Sequence, residues 1–185
     1  MRKIPLSDRA NGVANSVDSV AIMVVSAVNL AMVTVVGQCM GAGEPEQARR
    51  YAKKLMGISY ISTAVLGGLV CLLLPAILSM YQLSDETYRL ACILIIMHNV
   101  VAFLLLPTAF YLPNSLRAAG DVKITMAAGI FSMVVFRLGT AVLLGLVCVW
   151  GIIGVWAVMG MDWLARSVIF VIRYRSNKWQ SIRVI

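Results

Sequence analysis

The sequence predicts an all-α integral membrane protein with about five transmembrane helices, and three observations carry that prediction. Hydrophobic residues fill 61% of 185 positions and charged residues only 13%, where a soluble domain carries about a quarter charged residues. Mean hydropathy is +0.88. The apolar residues also collect into runs of spanning length, about twenty residues, set by a rise of about 1.5 Å per residue across a core about 30 Å thick. A soluble core of this length could not hide so many apolar side chains, because a folded chain must still present a surface to its solvent.

Residues 1–16 are expected to be an extracytoplasmic segment. The start, MRKIPLSDR, is basic, but no short apolar core and small-residue cleavage site follow it, so the first long run reads as a permanent span. That span covers 17–40, with Asp18 at its outer end, where the helix dipole favours a carboxylate. It ends in GQCMGAG, which lacks the Lys and Ser or Thr of a phosphate-binding loop and follows no strand. Its expected role is to end the helix and turn the chain, with Glu44, Pro45 and Glu46 opening the next helical stretch.

The remaining spans are placed at 56–81, 88–112, 124–147 and 151–172, and 173–185 forms a basic tail. Pro75, Pro107 and Pro113 each remove a helical hydrogen bond and press on the carbonyl four residues earlier. The third helix should therefore be kinked or broken near Phe103 and Ala109. Irregular backbone in a membrane is tolerated where it faces protein or a water-filled cavity. Asn99, Pro107 and Pro113 are accordingly cavity candidates, and a bend that only improves packing is the alternative. Gly37 with Gly41, Gly67 with Gly68, and Gly151 with Gly154 would let neighbouring backbones approach closely.

The net charge of +8 does not point to nucleic acid, since the basic residues lie in short segments between apolar runs and form no stripe or known binding pattern. Arg49, Arg50, Lys53 and Lys54 mark the first connection, Arg117 and Lys123 the third, and Arg173, Arg175, Lys178 and Arg183 the tail. Cytoplasmic loops collect Lys and Arg, which places these connections and the C-terminus inside and the N-terminus outside. Arg2, Lys3 and Arg9 conflict with an outside N-terminus. The expectation that resolves the conflict is a partial chain, with an odd number of helices upstream. Cys39, Cys71, Cys92 and Cys148 form no CxxC pair and read as small apolar fillers, and no metal or cofactor is expected.

An ionisable group at mid-bilayer costs at least a few kcal/mol on insertion scales, so each needs a partner, a cavity or a function. Arg137 and Asp162 are equally distant from a tight turn centred between Val149 and Trp150, so an antiparallel hairpin sets them at one depth. They are expected to form a buried pair, with Arg166 one turn from Asp162 competing for the carboxylate. Such a pair serves architecture or ion coupling. His98, beside Asn99, is either a proton carrier or a neutral imidazole bonded to a neighbouring helix.

Several stretches resemble the multidrug and toxic compound extrusion (MATE) transporters. LAMVTVVGQCMGAGEPEQARRYAKK is similar to a family helix running into VGQ, a Gly-rich end and a charged amphipathic connection. YLPNSLRAAGDVKITM resembles the family's LRAAGD loop and is followed by FRLGTAVLL, and GVWAVMGMDWLARSVIFVIRYRSNKW resembles its final span with DW and a basic exit. The resemblance implies most of the C-terminal lobe, the eighth to twelfth helices, of a two-lobe transporter of about twelve helices. It further implies exchange of H⁺ or Na⁺ for small organic, often cationic substrates, in the cell membrane, with the missing N-terminal lobe as partner. The chain alone would then be inactive. One branch places a cation-binding carboxylate in the tenth helix, whereas FLLLPTAFYLPNSLR has none; Na⁺ coupling of that type is not supported, and His98 lies elsewhere in that helix. Alternatives are a lipid-linked oligosaccharide flippase of the same superfamily and a small membrane assembly partner. No HExxH, paired acidic motif or Ser/His arrangement points to an enzyme.

Overall fold

The computed structural model describes residue 12 and residues 26–79, 81, 84–139 and 151–182, apart from the side chains at 137, 138, 151–153 and 155. The segment 1–16 except residue 12, the first part of the 17–40 span with Asp18, and the turn at Val149 and Trp150 lie outside the described residues. All regular elements among the described residues are helical.

Helix α1 covers Ser26–Gly41 and stops in a tight glycine cap. Gly43 sits at φ 75°, and the Gly43 and Glu44 N–H groups donate to the carbonyls of Met40 (3.1 Å) and Cys39 (2.9 Å). The left-handed conformation explains a glycine there, because a Cβ would be strained. Helix α2, Pro45–Ser79, follows at once with proline in its first turn, where no N–H is needed. The charged connection is thus helical, and α2 starts well before the apolar run at Met56. Ala48 and Ala52, four apart on one face, are fully buried, while Arg50, Lys53 and Lys54 face outward.

Helix α3 spans Asp85–Leu106, capped by Ser84 and with Asp85 and Glu86 in its first turn, as the helix dipole favours. It continues through a wide i→i+5 turn at Pro107–Tyr111 into α4, Leu112–Ala118. Leu112 N–H donates to the Pro107 carbonyl. The kink or break expected from the two prolines takes the form of a wide turn in one continuous 34-residue helix, Asp85–Ala118. An i→i+5 turn absorbs the missing proline donors without interrupting the rod. The α4 end repeats the α1 cap: Gly120 has φ 89°, and Gly120 and Asp121 N–H donate to Arg117 and Leu116 carbonyls. Helix α5, Val122–Ser132, enters a second wide turn at Met133–Gly139, and α6, Gly151–Arg175, ends in a short 3₁₀ turn at Lys178–Ser181.

Pro45–Ser79 and Asp85–Ala118 are each long and apolar enough to cross a bilayer, and only 11% and 28% of their most apolar windows are buried. A soluble core helix of that composition would be mostly buried, so these exposed aliphatic faces are surfaces for lipid or membrane-embedded protein. Leu72, 77% exposed, is typical of them. Three interior clusters stack along the bundle. Met32, Val36, Ala48, Ala52, Leu116 and Phe170 close the basic end, Ala102, Ala109 and Trp163 pack the middle, and Leu74, Leu78, Leu94 and Trp156 fill the far end.

Candidate functional site

Asp162 is 1% exposed in the middle of α6. Its Oδ1 accepts a hydrogen bond from the Ser132 hydroxyl at the end of α5 and one from Arg166 Nε, one turn along α6, at 3.1 Å. Its Oδ2 is buried and has no hydrogen-bond partner among the described residues. A buried carboxylate in this state holds charge against Arg166 and keeps lone pairs for one more donor or cation. Among the described residues, Ser132 makes a polar contact that joins α5 to α6 at this level. The side chain of Arg137 lies outside the described residues; its backbone belongs to the wide turn that follows Ser132.

An aromatic chain runs from this carboxylate into the bundle. Arg166 Cζ lies 5.8 Å over the Phe110 ring, within cation–π range. Phe110 meets Trp163 edge-on at 5.3 Å, Trp163 meets His98 at 5.4 Å, and His98 meets Trp156 at 5.2 Å. All three ring contacts are T-shaped, the arrangement that aromatic quadrupoles favour. His98 is thus joined to Asp162 through rings and Arg166 rather than directly. Asn99, turned about 100° around the helix from His98, serves another contact. Its Nδ2 donates to the Ile95 carbonyl at 2.9 Å, and a Cβ built on Gly67 of α2 would lie 2.9 Å from its Oδ1.

The wide turn supplies an interhelical bond. Near Pro107, the Leu105 carbonyl accepts from the Thr108 and Ser167 hydroxyls at 3.1 and 3.3 Å, and Thr108 Oγ1 lies 2.8 Å from Ser167 Oγ. Beyond Pro113, Asn114 Nδ2 donates to Asn29 Oδ1 of α1 at 2.7 Å. Pro107 and Pro113 are both buried. The residues named from the sequence therefore fall into two groups: His98, Asp162 and Arg166 share one chain of contacts, while Asn99 faces Gly67 of α2 and Pro107 and Pro113 are buried along the α3–α4 rod.

Asp121, 4% exposed, forms the other buried ion pair among the described residues, to Arg173 Nε at 2.6 Å. It ties the loop after α4 to the last turn of α6. Tyr174 stacks on Trp179 at 5.3 Å, and its hydroxyl donates to the Arg49 carbonyl over a long 3.5 Å. Burial raises the Tyr174 phenol above its usual pKa, with Arg49 partly opposing, so it remains a neutral donor. Sequence reasoning missed Ser132, Trp163, Thr108, Ser167 and Asp121. The last stood in the LRAAGD stretch opposite a basic exit, a signal of complementary charge; a serine or threonine in an apolar run gives none.

Among the described residues no group of three His, Cys, Asp or Glu side chains could hold a metal ion. Compared with models of known families, the chain matches that of MatE over residues 10–143, a stretch that includes His98, Ser132 and Arg137 and stops before Asp162. No curated protein matches it, and no solved structure does.

Proposed function

We propose, from the premise that this chain belongs to the MatE family, that it is part of a secondary active antiporter exporting organic, often cationic molecules in exchange for H⁺ or Na⁺. Its helices would make most of the C-terminal lobe, and the chain would transport only together with an N-terminal lobe. The cell membrane is the proposed location, with the basic end in the cytoplasm, as the Lys and Arg bias favours.

The observation that supports coupling through this lobe is Asp162, a carboxylate 1% exposed in an apolar helix, with Oδ2 lacking a partner among the described residues. Such a group is costly in a membrane unless it has a partner, a cavity or a function, and the partners of its carboxylate among the described residues engage only Oδ1. In this reading Asp162 takes up the proton or sodium ion, Ser132 and Arg166 hold it in place, and Arg137 and His98 are further coupling candidates. Protonation of Asp162 would loosen its attraction to Arg166. Arg166 already lies over Phe110 with the ion pair intact, so loss of the carboxylate charge would free it to move against α6, the kind of two-state element an alternating transporter needs.

The test places Asp162→Asn in the complete two-lobe protein, expressed in efflux-deficient cells, and follows accumulation of a fluorescent organic cation. Efflux is expected to fall at least about tenfold, the loss of roughly 1.4 kcal/mol of coupling, with the protein still inserted. Unchanged efflux would remove Asp162 from the mechanism.

A further inference from the structure

The basic end of the bundle carries more than a bias for orientation. Helix α2 has 35 residues, about 52 Å at 1.5 Å per residue, against a hydrocarbon core of about 30 Å. Its apolar part starts at Met56, so the Pro45–Leu55 turns project for about 16 Å at headgroup level. This projection is amphipathic: Ala48 and Ala52 are buried against the bundle, and Arg50, Lys53 and Lys54 are exposed on the other side. Lys54 rests 5.8 Å over the Tyr51 ring, which leaves its charge at the surface.

The same end is drawn together by the Tyr174–Arg49 and Asp121–Arg173 contacts, which bring the exposed Lys123, Arg175 and Lys178 to the level of the α2 projection. Among the described residues two exposed acids, Glu44 and Glu46, accompany them, since Asp121 is buried and already neutralised by Arg173. Arg49 keeps a buried Nε without a hydrogen-bond partner among the described residues, beside the Tyr174 phenol. The opposite end presents Asp85 and Glu86 with Arg89.

We infer that this face is a docking surface for the phosphate headgroups of anionic phospholipids, centred on the α2 projection and the end of α6. The occupant is set by depth and charge. A cationic surface at the headgroup level meets lipid phosphate before any soluble anion, and each Lys or Arg near an anionic leaflet adds attraction worth about a fivefold preference. Bound headgroups would pin the α2–α6 end of the lobe to the membrane surface. The inference needs only that the chain sits in a membrane and does not depend on antiport.

The test is native mass spectrometry of the purified protein released from bilayers of equal phosphatidylglycerol and phosphatidylcholine, with thermal unfolding in each pure lipid. Retained lipid should be enriched in phosphatidylglycerol, and unfolding should occur at a higher temperature in it. Lys53→Gln should cut the enrichment about fivefold, the Arg50→Gln, Lys53→Gln, Lys54→Gln triple variant should abolish it, and Arg89→Gln at the far end should leave it unchanged. Should the triple variant lose helicity, the exposed Lys53→Gln change alone still decides. Equal retention of the two lipids, or full enrichment in Lys53→Gln, would overturn the inference. So would inorganic phosphate stabilising the detergent-solubilised protein as much as phosphatidylglycerol does, which would mark a site for a free anion.

Discussion

Asp162, at 1% exposure, is the most deeply buried charged residue among those described. Its carboxylate is nearly sealed, and Arg166 is its charge partner. Replacing one member of such a pair leaves the other buried and uncompensated, typically at a cost of 3–5 kcal/mol, whereas replacing both by apolar residues is often far milder. Arg166→Leu should therefore lower the thermal unfolding temperature more than the Asp162→Leu, Arg166→Leu double variant does. Equal losses in the two would show that the pair contributes no coupling. At the basic end, the raised pKa of Tyr174 has a defined sign. A group held protonated by folding contributes stability in full below its unfolded value, about 10, and loses it as pH climbs through the folded value. Tyr174→Phe should flatten the fall in unfolding temperature above about pH 10, measured as a melting series from neutral to alkaline buffer. The sequence made Asp162 and Arg166 visible because charge in an apolar run is conspicuous. Ser132 was hidden, since a hydroxyl in such a run is ordinarily spent on its own backbone. Arg137 stands in the wide turn that follows Ser132, and its expected pairing with Asp162 involves a side chain outside the described residues.

At the scale of elements, the helices are joined by close approach and a few polar bonds, which is how bundles associate where lipid removes the hydrophobic drive. Gly67 and Gly68 show the distinction. A Cβ at Gly67 meets Asn99 at 2.9 Å, and one at Gly68 meets nothing within 4 Å. Gly67→Ala should destabilise by up to about 1 kcal/mol, because the Asn99 amide must turn away and give up its bond to Ile95, and Gly68→Ala should be neutral or stabilising by up to about 1 kcal/mol; thermal unfolding of the two variants side by side measures the contrast. The Thr108–Ser167 bond between the proline turn and α6 should give a coupling of about 0.6 kcal/mol in a double-mutant cycle with Thr108→Val and Ser167→Ala. Apolar run lengths marked two helices long and apolar enough to span, Pro45–Ser79 and Asp85–Ala118, and the glycine-rich GQCMGAG stretch announced the cap after α1. The continuous path through Pro107 was not legible, because proline rules say which hydrogen bond is lost and leave open whether the helix breaks or widens.

For the whole molecule, composition alone placed the chain in a membrane, and the lightly buried apolar helices agree with it. Motif order gave the family, which the match over residues 10–143 shows. Depth and charge could be read because they depend on single residues and their order. Contacts could not: the aromatic chain from Trp156 through His98, Trp163 and Phe110 to Arg166 joins helices whose relative rotation no single run encodes. The central claim is that Asp162 couples ion movement to export. Its most direct test is counter-transport in proteoliposomes made from the complete two-lobe protein, with an imposed pH or sodium gradient and an organic cation inside. Gradient-driven export that disappears in Asp162→Asn, with the same amount of folded protein inserted, is the result predicted. Export in Asp162→Asn at the unaltered rate and with the same ion dependence would contradict it.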